Sequence, residues 1–310
     1  MLKKTVMFLI LFLVVLFGCG YLSLKADKTS YANNKVKNDS ILPKNVNHYG
    51  YWLRSNNMYD LDFEDLSNHG VTDILLNFKA YEKYGIDKLE LWISKANKKG
   101  IHIHIWVQVF WPSDDNKWVK PAINGEPNTE FFNKKIDEII KYSKIRGISG
   151  IHFDYLRFSG VKKYNNAAWQ NPGGKEAISE FVKQAVKAIH DINADLITSA
   201  AIMPEPDSLE NVYGDQYSAL SEYLDVITPM VYCGNYKKDT NWVKSTTKWF
   251  VENSKKAKVW TGLQAYNSDE DLTKLSFERM KEDINAALIA GASGVILFRY
   301  GVSNNIDFND

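Results

Sequence analysis

The stretch GISGIHFDYLRF, residues 147–158, carries the residues with the clearest chemical potential in this chain. Ile148, Ile151 and Phe153 lead into a carboxylate, Asp154, and Tyr155 and Arg157 follow at once. An apolar run of this kind is expected to be buried, and a buried carboxylate is costly unless a partner neutralises it or a reaction uses it. A structural ion pair with Arg157 is one reading of Asp154, and direct chemistry is the other. A second carboxylate, Glu205, lies in MPEPD just past another apolar run, with Asp207 and Asp215 in reserve. Two prolines fix that loop, so Glu205 could equally be an exposed loop residue. Hydrolysis of a glycosidic bond needs two such groups on one side of a pocket. One protonates the leaving oxygen, and the other attacks the anomeric carbon or activates water. The expected assignment is Asp154 as nucleophile or base and Glu205 as general acid.

Such a pair needs elements to position it, and these can be counted. Apolar β-rich runs occur at 48–54, 71–78, 101–110, 150–158, 196–204, 226–232, 258–266 and 294–300. Between them, segments such as KLELWISKANKKG, FFNKKIDEIIKYSKIRG, EAISEFVKQAVKAIHDI and SFERMKEDINAALIAG repeat apolar residues at three- and four-residue spacing and often end in Gly or basic residues. Eight strands alternating with amphipathic helices over about 260 residues predict a single-domain (β/α)8 TIM barrel. A doubly wound open sheet would normally carry a Gly-rich phosphate turn after an early strand, and neither GxGxxG nor a Walker pattern is present.

In such a barrel the chemistry sits at the C-terminal ends of the strands. Residues there are Tyr49, Trp52 and Arg54; Asn77; Gln108 and Trp111; Asp154, Tyr155 and Arg157; Glu205 and Asp207; Tyr232; Gln264 and Tyr266; Arg299 and Tyr300. The catalytic candidates are Asp154 and Glu205. The sugar-binding candidates are Tyr49, Trp52, Asn77, Gln108, Trp111, Tyr155, Arg157, Tyr232, Gln264, Arg299 and Tyr300. Flat rings suit the CH faces of sugars, so the aromatics, Trp118 among them, favour a glycan cleft as a group. The long loops 112–128 and 159–175, the second with Trp169, are where substrate selection is expected. His102 and His104 invite a metal reading, but HxH opens strand three, at the stability end, and His152 is similarly early in its strand. No metal and no cofactor are expected.

The whole chain bounds these readings. Its 310 residues, 45% hydrophobic and 13% aromatic, suffice for a large core, and disorder as the main state is excluded. A net charge of +1 and the lack of basic runs interleaved with aromatics argue against nucleic acid as a partner. Lys3 and Lys4 precede an uncharged apolar run, so residues 1–24 read as a signal peptide, a lipoprotein signal or a membrane anchor. LFGC at 16–19 resembles a lipoprotein box, with Cys19 as the lipidated residue and Phe17 bulkier than that pattern usually accepts. Residues 25–45 read as a polar tether, rich in Lys, Asn, Asp and Ser, and 46–310 as the barrel. Either form of attachment leaves the domain outside the membrane, tethered to it. Cys233 is the one other cysteine and is expected to be a small apolar residue at a strand end.

GIHFDYLRF resembles the strand-four signature of the putative glycosyl hydrolase domain family of bacteria and archaea, a (β/α)8 family with stretches close to IQFDYIRFP. YLDVITPMVYCGNY is similar to its later YVDYISPMVYPSHY element, and GASGVILFRYG falls at its final Gly-rich strand. The likeness spans 46–302 and implies a sugar-cleaving barrel with Asp154 as a catalytic carboxylate. Ser159 and Cys233 stand where the family has Pro, which reshapes the pocket rim. PMVY also resembles the MxY(D) of chitinase-type barrels, but the Asp is Cys233 here and strand four lacks the terminal Glu of DxxDxDxE. The expectation is an exported, monomeric glycoside hydrolase acting on a cell-surface or environmental polysaccharide. Its rivals are a glycan-binding barrel without catalysis and a metal-dependent hydrolase or deacetylase using His102, His104 and His152.

Overall fold

The computed structural model describes residues 47–111, 117–159, 171–214 and 216–309. Cys19, the apolar leader, the polar tether, Trp169 and Asp215 lie outside these. Eight parallel strands close into a barrel: β1 His48–Leu53, β2 Asp73–Asn77, β3 His102–Gln108, β4 Gly150–Asp154, β5 Ile197–Ile202, β6 Val226–Val231, β7 Lys258–Gln264 and β8 Gly294–Phe298, each paired with its neighbours in sequence and β8 with β1. All eight expected strands form, in the expected barrel. Among the described residues the α-helices are α1 Phe63–Asn68, α2 Lys79–Tyr84, α3 Ile86–Asn97, α4 Thr129–Ser143, α5 Gly174–Ile192, α6 Tyr217–Tyr223, α7 Cys233–Tyr236, α8 Thr240–Asn253 and α9 Phe277–Ile289.

The helices form where an apolar stripe meets a cap. α5 buries Ala177, Ile178, Phe181, Val182, Ala185, Val186 and Ile189 at helical spacing. The side chains of Asn128, Asp239 and Ser276 accept the free N–H groups that open α4, α8 and α9. Alternate strand residues divide between two cores. Tyr51, Leu53, Ile103, Ile105, Ile151 and Phe153 belong to the layer beneath the helices, and Trp52, Leu75, Trp106, Ala201, Trp260 and Ile296 form a second cluster that fills the barrel.

The interior also holds buried polar groups. Asp73 accepts from His48 Nδ1 at 2.8 Å and from His104 Nε2 at 2.9 Å. Burial would raise the Asp73 carboxyl, but the bonds from His104 and His48 outweigh it and hold it well below the usual carboxylate range. Trp52 Nε1 donates to His152 Nε2 (3.2 Å), whose Nδ1 pairs with Ser199 Oγ (2.8 Å). Burial holds His152 down to about 3, so it is neutral. Glycines make room for these side chains: a Cβ on Gly150 would lie 2.6 Å from His104 Nδ1, and one on Gly294 2.8 Å from His48 Cβ.

Candidate active site

At the C-terminal ends of the strands lies a cavity of 420 Å³ lined by Arg54, Ser55, Asn56, Asn77, Lys79, Trp106, Gln108, Asp154, Tyr155, Arg157, Met230, Tyr232, Asp269 and Phe298. Asp154 is the last residue of β4 and 8% exposed. Its Oδ1 accepts from the Tyr155 backbone N–H at 2.7 Å and its Oδ2 from Trp106 Nε1 at 3.0 Å. Burial pushes the Asp154 carboxyl up, and the Tyr155 N–H, the Trp106 indole and the positive Arg157 counter this only in part. Asp154 and Arg157 form no ion pair among the described contacts, so the purely structural reading of Asp154 lacks its partner.

The strand stops at Asp154 because Tyr155 turns into the left-handed region, at φ 57°, a conformation that costs a side-chain-bearing residue about 1–3 kcal/mol. Tyr155 lines the cavity, and Trp118 meets it edge-on at 5.7 Å while stacking on Trp111 at 5.3 Å. The Arg157 guanidinium lies 4.8 Å over Trp118 and 5.4 Å over Tyr155, and donates to Phe158 O. Tyr232 stacks on Phe298 at 5.5 Å, and burial, with Asp154 nearby, pushes its phenol well above the usual range.

The second carboxylate lining the cavity is Asp269, which reading the sequence missed. It sits in the hairpin pairing Tyr266–Ser268 with Asp271–Lys274. Asp269 Oδ1 accepts from Tyr266 OH and Oδ2 from Asn235 Nδ2, both at 2.9 Å. Asn235, on α7, is fixed by Gln264, which donates to its side-chain oxygen (2.9 Å) and accepts from its backbone N–H (3.1 Å). Gly234 lets the hairpin approach, since a Cβ there would lie 1.6 Å from Asn267 O. A run of polar residues, NSDED, gave no sign of this fold.

Of the sequence candidates, Asn77, Gln108, Asp154, Tyr155, Arg157 and Tyr232 line the cavity, and the others do not. Glu205 is half-buried, and its Oε2 accepts from Tyr213 OH (2.5 Å) and Tyr236 OH (3.0 Å). Tyr213 in turn packs 5.8 Å under Arg157. Asp207 is exposed. Trp52 points inward but is 1% exposed, packed in the barrel below the cavity. Tyr49 lies on the opposite face of β1 and stacks on Phe308. Gln264 is committed to Asn235, and Tyr300 OH donates to Asp60 O. Arg299 lies behind the rim, within electrostatic reach of Arg54, Tyr266 and Asp269. His104 and His152 are engaged inside the barrel, and among the described residues no group of three His, Cys, Asp or Glu side chains could hold a metal. Cys233 opens α7 rather than ending a strand, with burial raising its thiol to about 12.

Residues 78–274 match the model of a family described as a putative glycosyl hydrolase domain, a shorter span than the 46–302 of the motif likeness. No curated protein sequence matches the chain. Among solved structures, the glycoside hydrolase domain of PgaB (BpsB) from Bordetella bronchiseptica is similar with a TM-score of 0.61 and 11% identity, covering 83% of this chain and 95% of that one. The spore cortex-lytic enzyme SleL of Bacillus megaterium has a TM-score of 0.60 and 13% identity, covering 85% and 72%. A class V chitinase from Pseudomonas fluorescens has 0.58 and 15%, covering 84% and 96%. At these identities the likeness is one of fold.

Proposed function

Because the chain belongs to the putative glycosyl hydrolase domain family, we propose that it hydrolyses O-glycosidic bonds of a polysaccharide, with Asp154 as the proton donor. The observation that carries this reading is the desolvated carboxyl of Asp154 facing a 420 Å³ cavity that a second carboxylate, Asp269, also lines. A carboxyl whose neutral form is favoured is suited to protonate a leaving-group oxygen. Asp269, held by two neutral donors, supplies the negative charge that faces the developing oxocarbenium ion. In this reading Asp154 takes the acid role expected of Glu205, and Glu205 positions Tyr213 beneath Arg157. Asn77, Gln108 and Tyr232 offer hydrogen bonds to sugar hydroxyls, and Tyr155 offers a ring face.

Residues 1–24 extend the proposal to place. They would hold the barrel outside the membrane, where polysaccharides of the surface or surroundings are the available substrates.

The test is release of reducing sugar from a panel of wall and matrix polysaccharides by the full chain and its variants. Loss of a general acid costs on the order of 10²–10⁴-fold, and that loss is expected for Asp154→Asn, a comparable loss for Asp269→Asn, and a smaller one for Glu205→Gln. Full activity in folded Asp154→Asn would refute the reading. Full activity in Asp269→Asn with loss in Glu205→Gln would give the second role to Glu205 in place of Asp269.

A further inference from the structure

Several cations on the outer helices are matched by carboxylates, and those around the cavity are not. On the outside, Lys187 pairs with Asp191, Lys248 with Glu252 and Arg279 with Asp283. Arg54, following β1, and Lys79, opening α2, both line the cavity and are exposed, yet neither forms an ion pair among the described residues. Arg157 is fixed by the aromatic faces of Trp118, Tyr155 and Tyr213 and one backbone carbonyl, with no carboxylate in contact among the described residues. Arg299 stands behind them, its charged form disfavoured first by burial and then by the like charge of Arg54. The net charge of the whole chain is only +1, so this accumulation belongs to the cavity rather than to the protein. Of the two carboxylates opposite, Asp269 keeps its charge among neutral donors and Asp154 is pushed toward its neutral form, so the three cations lining the cavity outnumber its anionic charge.

Cations that line a cavity with no carboxylate in contact keep their field for what enters, and an anionic group between them is drawn in by it. An ammonium-bearing sugar would meet the opposite field. We infer that the substrate is an anionic glycan, one whose sugars carry carboxylate or phosphate groups, with Arg54 and Lys79 meeting the anion and Arg157 holding the neighbouring ring. This deepens the reading of the same cavity as a sugar-cleaving site and rests on it. Carboxylate and phosphate share the recognising chemistry, a bidentate or point-charge contact with Arg and Lys.

The experiment is equilibrium binding of fluorescently labelled oligosaccharides of equal length to the full chain in detergent. The probes are oligogalacturonate, a phosphorylated mannan oligosaccharide, neutral chito-oligosaccharide and its deacetylated cationic form. At least one anionic probe is expected to bind roughly ten-fold or more tightly than the neutral one, weakening as salt rises. Arg54→Ala and Lys79→Gln, checked for unchanged thermal melting, should each weaken the anionic probe several-fold more than the neutral one. Which anionic probe prevails tells carboxylate from phosphate. Equal or tighter binding of the neutral or cationic probe, no binding of either anionic probe, or anionic binding indifferent to both substitutions would overturn the inference. Cleavage of a neutral glycan that Asp154→Asn abolishes would sink it while leaving the hydrolase standing; anionic binding without cleavage of any glycan would do the reverse.

Discussion

At the scale of the residue, the surroundings of Asp154 favour one protonation state. Burial favours its protonated form, so a reaction that needs the proton fails as pH rises through the raised pKa of this carboxyl. The alkaline limb of kcat/KM is therefore expected to report Asp154. Trp106 Nε1 donates to the carboxylate and stabilises its charged form. Trp106→Phe, which keeps a ring and deletes the donor, is expected to move that limb to higher pH. A limb that stays in place would assign the titration to another group. Asp154 was legible in the sequence because a charge interrupts an apolar run at a strand end. Asp269 was not, since it is one acid in a polar loop, and only the contacts through Asn235 and Gln264 bring it to the cavity.

At the scale of the element, apolar runs and their helical spacers told the eight strands and their order, but not their ends. The run 150–158 was read as one strand, whereas the backbone turns after Asp154 at the left-handed Tyr155. Depth within the barrel was equally hidden. Alternation says that Trp52 points inward, yet not that it lies one layer beneath the cavity, bonded to His152. The buried Asp73 links β1, β2 and β3 through His48 and His104. Removing one partner of such a buried charged cluster costs about 3–5 kcal/mol, and Asp73→Ala is expected to lose that much stability in urea denaturation at neutral pH. The sign with pH follows from the lowered pKa of the folded state. The stabilisation is present above the carboxylate pKa of the unfolded chain, near 4, and fades as pH falls toward the lower folded value. The deficit of Asp73→Ala should accordingly shrink in acid, and a deficit constant with pH would contradict the ionised assignment.

At the scale of the molecule, the barrel holds the candidate site, and the attachment proposed for the chain belongs to a separate stretch. Among the described residues no helix is long and apolar enough to cross a membrane, so the proposed attachment rests on residues 1–24. The full chain is expected to sediment with membranes, and a chain lacking residues 1–24 to remain in the supernatant while keeping its melting temperature. Sedimentation of the shortened chain would place the attachment in the barrel. The polar base of that barrel, with its glycines, carries a consequence for how the sequence can drift. A side chain at 150 would strike the backbone oxygen of Ile197 as well as His104, and one at 294 the backbone oxygen of His48 as well as its Cβ, both histidines being donors to Asp73. Shrinking either histidine leaves these backbone contacts in place, so the two glycines form an interlock with the main chain that paired changes do not release. The mouth has no such interlock at Arg54 and Lys79, so in descendants of this chain the preference for a glycan can diverge by single steps while the base stays as it is.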